Sequence, residues 1–195
     1  MTPEFPLVLA SRSPRRKEIL KVLKIPFVVS PVDRSEKITS LSPTDYCTRL
    51  SVLKAKKGYE INRGRWVLGA DTVVVLEGEI LGKPSSPQEA KMTLSKLSGK
   101  THEVITSIAI VNPHGELAYK EASTTRVTFK GLSEEEIDAY IRTGEPMDKA
   151  GAYAIQGIGA FMVRRLEGSY SNVVGLPIFE LIQGLLISGA LLSYP

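Results

Sequence analysis

Hydroxyl and guanidinium groups cluster near the start of the chain in a pattern suited to binding phosphate. Residues 11–16 read Ser-Arg-Ser-Pro-Arg-Arg and follow an apolar run at 7–10 that predicts a buried strand. Pro14 fits the first turn of a helix, with Ser13 as its N-cap. The start of a helix presents unpaired N–H groups and a partial positive charge, both of which attract phosphate. Further donors to phosphate oxygens would come from Ser11, Ser13, Arg15 and Arg16. Taken alone, the segment could equally be a capped basic helix start that faces solvent.

A single acid interrupts a second apolar stretch. Asp71 lies between Val67-Leu68 and the three valines that begin at Val73. A carboxylate inside such a run is costly to bury unless it is paired or holds a metal. In open sheets, functional groups also collect beyond the carboxyl ends of strands. We therefore interpret Asp71 as a functional residue and not as the cap of a local turn.

Two weaker signals depend on their context. Lys83 follows a predicted hairpin, but the segment lacks the Gly-rich stretch of a P-loop and the Ser/Thr that follows its lysine, so alone Lys83 is interpreted as a surface lysine. Residues 145–157 combine glycines, acids, a lysine and the amide of Gln156, which suits either a ligand-binding loop or a long turn. His102 and His114 are isolated from other metal-ligand side chains in the sequence and are interpreted as strand or surface histidines.

Alternating strand and helix patterns must position these groups. Predicted strands occupy 7–10, 27–29, 67–76, 79–80, 103–111 and a returning segment to about 129, with strand and turn material at 153–165. Helices are predicted to begin at Ser13-Pro14, Ser42-Pro43, Ser86-Pro87 and the Ser133/Glu136 capping box, and a buried C-terminal helix is predicted over 178–192. The pattern predicts an α/β fold, with a mixed twisted sheet and helices on both faces, in one domain spanning 1–195.

Composition narrows the class of protein. The whole net charge of +4 falls in residues 1–24, where six basic side chains accompany two acids, while the rest balances at 19 against 19. A local cluster suits a compact anion such as a polyphosphate, whereas a nucleic-acid binder would spread its charge along a face. Cys47 is the only cysteine, which excludes an internal disulfide and a cysteine-based zinc site. With no signal-peptide pattern and no apolar run of membrane-spanning length, the expectation is a cytoplasmic protein that binds neither membrane nor nucleic acid.

Taken together, the motifs resemble the Maf family in order and over nearly the full chain. The matching segments are 9–11 with 13–16, Lys54-Ala55, Gly-Ala-Asp-Thr at 69–72, Gly-Lys-Pro at 82–84, Leu-Ser-Gly at 97–99, Glu-Pro-Met-Asp-Lys-Ala-Gly at 145–151, Ile-Gln-Gly at 155–157 and Val-Gly-Leu-Pro at 174–177. The resemblance implies a nucleoside triphosphate pyrophosphatase related to the inosine-triphosphate pyrophosphatases. It implies two lobes around a cleft, a divalent cation (Mg²⁺ or Mn²⁺), frequent homodimers, and a part in nucleotide-pool cleaning and septum arrest.

The resemblance also implies roles for individual residues. Asp71 would be the catalytic carboxylate, positioning or deprotonating the attacking water, and a metal ligand, and Ser11, Ser13, Arg16, Lys54 and Lys83 would bind phosphates. Arg15, Thr72 and Gln156 match the branch that hydrolyses dTTP and UTP, with modified pyrimidine nucleotides as further candidate substrates.

The chain departs from the family pattern at two positions. Arg34 stands near a commonly acidic position, so Asp33 or Glu36 is the candidate second metal ligand. Ala154 replaces a common glycine, which would stiffen its loop slightly without abolishing chemistry.

Two other functions stay open from the sequence. A non-catalytic nucleotide sensor could use the same phosphate-binding residues and would not need a water-activating acid. A nucleic-acid-binding module is disfavoured by the even charge balance after residue 24.

Overall fold

Serine caps and prolines begin the first three helices, as the sequence predicts. The computed structural model describes residues 4–32 and 41–195. In each of these three helices the N-cap serine accepts a hydrogen bond from a backbone N–H of the first turn, and proline follows it. The helices are α1 (Pro14–Val22), α2 (Pro43–Ile61), α3 (Pro87–Leu97), α4 (Glu134–Arg142), α5 (Tyr170–Val174) and α6 (Ile178–Ile187). The predicted capping box at the start of α4 is present, and α6 ends before Leu192, ahead of Gly189 with its φ of +75°.

Within the described residues, seven strands form one mixed sheet. They are β1 (Leu7–Leu9), β2 (Phe27–Val29), β3 (Val67–Leu76), β4 (Glu79–Leu81), β5 (Thr101–Val111), β6 (Leu117–Phe129) and β7 (Val163–Glu167). The strand order is β2-β1-β3-β5-β6-β7, and β4 pairs with β3. Strand β1 runs parallel to β2 and β3, whereas the β3–β4 and β6–β7 pairs are antiparallel. The predicted mixed α/β fold is therefore confirmed.

The chain divides into two compact units. The first unit extends to Asp71 and adds Thr106–Ser123 and Gly175–Pro195, and the second unit comprises Thr72–Ile105 and Thr124–Val174. The single 1–195 domain stays a prediction. None of the described helices is long and apolar enough to cross a bilayer.

Small residues let α2 lie directly on the strands of the first unit. A side chain at Gly69 of β3 would place its Cβ 2.2 Å from the Ser51 carbonyl oxygen and 2.4 Å from the Ala55 amide nitrogen of α2. A side chain at Gly58 would place its Cβ 2.9 Å from the Cβ of Ala10. These small residues therefore allow an unusually close approach between helix and strand.

Larger side chains fill the second unit. Its core combines buried residues from β3, α3, β5, β6, α4 and the 3-10 turns that follow α4. His102 of β5 is only 2% exposed, and its Nε2 lies 2.8 Å from the Tyr153 hydroxyl oxygen. Its ring meets the Phe129 ring edge-on at 4.9 Å. Burial lowers the pKa of His102 to about 4, so the imidazole is neutral in the fold near pH 7.

Candidate functional site

The start of α1 carries the predicted phosphate-binding segment. Ser13 caps the helix by accepting a hydrogen bond from the Arg16 amide at 3.4 Å, and the Ser11 hydroxyl accepts one from the Ser13 amide at 3.2 Å. The first turn of α1 has no acidic residue. Two arginines at the positive end of a helix dipole oppose helix stability unless an anion is bound there. Ser11 is buried, while Arg15 is half-buried.

Arg16 lies in the interior of the first unit. Its Nε donates a hydrogen bond to the Gly175 carbonyl at 2.7 Å, and its Nη1 donates to Ser11 Oγ at 3.1 Å and to the Ala70 carbonyl at 2.9 Å. Burial lowers the pKa of Arg16, although the nearby Asp71 charge works to raise it. In this arrangement the guanidinium ties the start of α1 to β3, and its predicted contact with phosphate stays a prediction. Sequence reasoning missed the Gly175 partner, for which the Val-Gly-Leu-Pro motif was the available signal.

Asp71 is buried, as its apolar neighbours predict, and forms an ion pair with Lys54 of α2. The Lys54 Nζ to Asp71 Oδ1 distance is 2.6 Å, and the two side chains are 18% and 6% exposed. The ammonium also donates to the Ala70 carbonyl at 3.3 Å. Because Leu68 pairs with Leu9 at the end of β1, Asp71 lies just beyond the carboxyl end of that strand. This is where functional groups collect in parallel sheets.

The close approach of α2 explains why these groups meet. Gly69 brings β3 against the backbone of α2 near Ser51 and Ala55, and Lys54 projects from the same turn of that helix. Two turns before Lys54, Cys47 donates a hydrogen bond from Sγ to the Asp71 carbonyl at 3.3 Å. Burial, followed by the Asp71 charge, raises the pKa of Cys47 to about 12. The thiol is therefore uncharged, and its hydrogen bond to the Asp71 carbonyl holds α2 against β3.

The described residues offer a metal ion one carboxylate at this position. Across 4–32 and 41–195, no cluster of three or more His, Cys, Asp or Glu side chains is found. Asp33 and Glu36, the candidate second ligands, lie outside the described residues. Mg²⁺ usually keeps several waters and takes only one or two protein carboxylates together with phosphate oxygens of the substrate. Asp71 fits such a partial donor set.

The remaining predicted residues lie in the second unit. Thr72 is half-buried on β3, whereas Lys83 and Gln156 are exposed. The Gly82 carbonyl accepts a hydrogen bond from the Gly151 amide at 3.0 Å, which fastens the segment before Lys83 to the loop after α4. Five of the predicted site residues thus lie in the first unit: Ser11, Ser13, Arg16, Lys54 and Asp71. Three others belong to the second unit: Thr72, Lys83 and Gln156.

The segment around Gln156 is anchored by two side chains from α4 and the turn after it. Glu145 Oε1 accepts hydrogen bonds from the Tyr140 hydroxyl at 2.8 Å and the Gly159 amide at 3.0 Å, and Oε2 accepts one from the Ile158 amide at 3.1 Å. The Tyr140 hydroxyl in turn accepts a hydrogen bond from the Ala154 amide at 3.2 Å. Sequence reasoning missed both anchors, because nothing in the spacing indicates that Glu145 turns back towards its own loop.

The charge state of Glu145 suits this task. Burial works to raise its pKa, but hydrogen bonds from Gly159, Tyr140 and Ile158 lower the pKa below its usual value. The group is therefore a carboxylate at neutral pH and can accept from all three donors at once.

Comparison with known proteins agrees with the motifs. The family model described as "Maf-like protein" matches residues 6–186. A protein of Geobacter sp. (strain M21) named dTTP/UTP pyrophosphatase is 50% identical over 186 residues, covering 95% of this chain and 96% of that protein. A protein of the same name from Bacillus cereus (strain AH187) is 48% identical over 180 residues, covering 92% and 93%.

Two solved structures align with part of the chain. A dITP/XTP pyrophosphatase of Mycobacterium abscessus matches 64% of this chain and 74% of its own, with 15% identity and a TM-score of 0.43. The Ham1 protein of Staphylococcus aureus matches 64% and 71%, with 17% identity and a TM-score of 0.46. The family model and the relatives at about half identity both span more than nine-tenths of the sequence, and the chain belongs to the Maf family.

Proposed function

We propose that the chain is a nucleoside triphosphate pyrophosphatase that hydrolyses dTTP and UTP to the monophosphate and pyrophosphate. The observation that carries the proposal is the buried Lys54–Asp71 pair beside the basic start of α1. It combines a carboxylate, an ammonium group and a helix N-terminus, which are the groups that phosphoryl chemistry uses. The names of the relatives at 50% and 48% identity point to the same reaction.

The basic groups would bind and orient the triphosphate. Amides at the start of α1, with the hydroxyls of Ser11 and Ser13, present donors to phosphate oxygens. Arg15, half-buried on the first turn, would add a planar bidentate contact. Lys54 and Lys83 would supply further positive charge, and Arg16 would act chiefly by fixing the start of α1 against β3.

Asp71 would orient the attacking water and take up its proton. Water would add to the α phosphorus, the bond from that phosphorus to the bridging oxygen would break, and pyrophosphate would leave. Lys54 holds the carboxylate in position before the substrate arrives. A bound Mg²⁺, or Mn²⁺ in its place, would be held by Asp71 and substrate oxygens, and would supply charge neutralisation and acidification of water.

Gln156 would recognise the base. Its amide has a donor and an acceptor, which match the N3–H group and a neighbouring carbonyl of uracil or thymine. Because an amide can flip, a fixed neighbour such as Thr72 would be needed to reject cytosine. Modified pyrimidine triphosphates that keep this edge would also be substrates, which fits a role in cleaning the nucleotide pool.

A homodimer, a cytoplasmic location and an effect on septum formation belong to the same proposal through the family resemblance.

A turnover screen with separate phosphate and pyrophosphate detection tests the reaction. Common nucleoside triphosphates are supplied with Mg²⁺, and products are separated by ion exchange. Monophosphate and pyrophosphate from dTTP and UTP are expected. Diphosphate and inorganic phosphate would show that a different bond breaks, and binding without turnover would favour the nucleotide sensor.

A further inference from the structure

We propose that Glu145 and Tyr140 are positioning residues that set base preference by fixing the backbone on both sides of Gln156. The inference rests on the proposed function, since it concerns how that site chooses its base. Neither residue needs to contact the nucleotide. All of the contacts involved lie within the second unit.

The anchors bracket Gln156 closely in sequence and space. On one side, the Ala154 amide donates to the Tyr140 hydroxyl at 3.2 Å. On the other side, the amides of Ile158 and Gly159 donate to the Glu145 carboxylate at 3.1 Å and 3.0 Å. The Tyr140 hydroxyl donates to the same carboxylate, so the two anchors form one connected network.

Two glycines of the loop lie too close to these anchors to carry a side chain. A side chain at Gly157, whose φ is +146°, would place its Cβ 2.5 Å from Glu145 Oε2. A side chain at Gly159 would place its Cβ 2.6 Å from the Tyr140 hydroxyl oxygen. Both glycines therefore allow the backbone to close onto Glu145 and Tyr140, which explains the glycine at the end of the Ile-Gln-Gly motif.

The exposed position of Gln156 makes the anchors matter for recognition. Its side chain is exposed, so its placement depends on the backbone to either side. Selection by hydrogen bonds requires donor and acceptor to be held in place, because a loose amide can turn to satisfy cytosine as well. Loss of one anchor should therefore reduce discrimination between bases more than it weakens the grip on the triphosphate.

The test uses Glu145→Gln and Tyr140→Phe. Both substitutions keep the shape of the side chain, but Glu145→Gln replaces one acceptor oxygen with a donor, and Tyr140→Phe removes the bridging hydroxyl. The matched control is Glu135→Gln, an exposed glutamate in the first turn of the same helix α4. For each protein, kcat and KM are measured for dTTP, UTP, dCTP and CTP with Mg²⁺, together with Tm.

The preference for dTTP over dCTP in kcat/KM should fall about tenfold in Glu145→Gln, the scale of one lost buried hydrogen bond. A smaller fall is expected in Tyr140→Phe, and the control should keep the wild-type ratio. Inhibition by free pyrophosphate should stay unchanged in all three variants. If Glu145→Gln does not fold, Tyr140→Phe decides the question.

The outcomes separate the inference from the proposed function. Unchanged base ratios in folded Glu145→Gln or Tyr140→Phe, or an equal loss in the control, would overturn the inference alone. A wild-type protein that hydrolyses no triphosphate would overturn the proposed function, and the inference with it.

Discussion

Replacing Asp71 by asparagine should remove activity and also weaken the fold. In the sequence alone Asp71 has no identified partner, and replacing an unpaired buried carboxylate should not destabilise the fold. The structure reverses this expectation, because Asp71 accepts a hydrogen bond from Lys54 at 2.6 Å. Asp71→Asn would leave an ammonium that is only 18% exposed without its counter-charge.

The size of the effect follows from the burial of the two groups. Removing one partner of a fully buried ion pair typically costs about 3–5 kcal/mol, and a hydrogen bond to a charged group contributes about 1.5–3 kcal/mol. The Lys54 side chain retains some exposure, so its flexible stem can carry the ammonium towards water. We therefore expect Asp71→Asn to lower the free energy of unfolding by about 2 kcal/mol. Activity should fall by at least ~100-fold, the scale of a lost general base.

A double-mutant cycle with Lys54→Met separates the two effects. Urea unfolding of the wild type, Asp71→Asn, Lys54→Met and the double variant should give a coupling free energy of about 1–2 kcal/mol. Turnover of dTTP is measured on the same four proteins. A coupling below about 0.5 kcal/mol would mean that the pair behaves like an exposed surface bridge and would refute the structural reasoning. Near-normal turnover by Asp71→Asn would remove the residue from its proposed role.

Three further outcomes are expected. Gly69→Ala should lower the free energy of unfolding by about 3 kcal/mol in urea titrations, since its Cβ would meet backbone atoms of α2 at 2.2 Å and 2.4 Å, while Gly131→Ala, with nothing within 4 Å, should change it little. Gln156→Ala should reduce the preference for dTTP over dCTP in kcat/KM, whereas Arg15→Ala should chiefly raise KM for every triphosphate; an unchanged base preference would exclude the Gln156 contact. Because the pKa of His102 falls from 6.5 to about 4 on folding, the unfolded chain binds the extra proton between these values, and stability should decrease as pH drops. About 2 kcal/mol should be lost between pH 7.5 and pH 5, and His102→Gln should show less of this pH dependence in parallel unfolding titrations.

Local sequence rules predicted much of the fold. Helix starts followed from serine caps with proline in the first turn, because that chemistry satisfies the orphan N–H groups within a few residues. The long strand around Asp71 followed from its apolar run. The end of α6 was less predictable, since apolar residues continue past Ile187 although the helix stops.

The candidate site was predictable in its residue types but not in its contacts. Lys54 and Asp71 were both singled out, yet their ion pair depends on the separation of helix and strand, which the sequence does not reveal. Arg16 was interpreted as a phosphate ligand, and only the fold shows it donating to Ala70 and Gly175. Such long-range hydrogen bonds have no periodic signature, so they are found only in three dimensions.

The buried thiol of Cys47 allows local opening of the protein to be followed by the rate of cysteine alkylation. Its side chain is 0% exposed, and its raised pKa of about 12 leaves almost none of the reactive thiolate near neutral pH. An alkylating reagent can therefore reach sulfur only when the packing around Cys47, including its hydrogen bond to the Asp71 carbonyl, opens. Since the chain has one cysteine, every labelling event reports exposure of this same residue. The alkylation rate thus measures how often the packing of α2 against β3 opens at Asp71. A ligand that binds only the closed form should lower that rate in proportion to its occupancy.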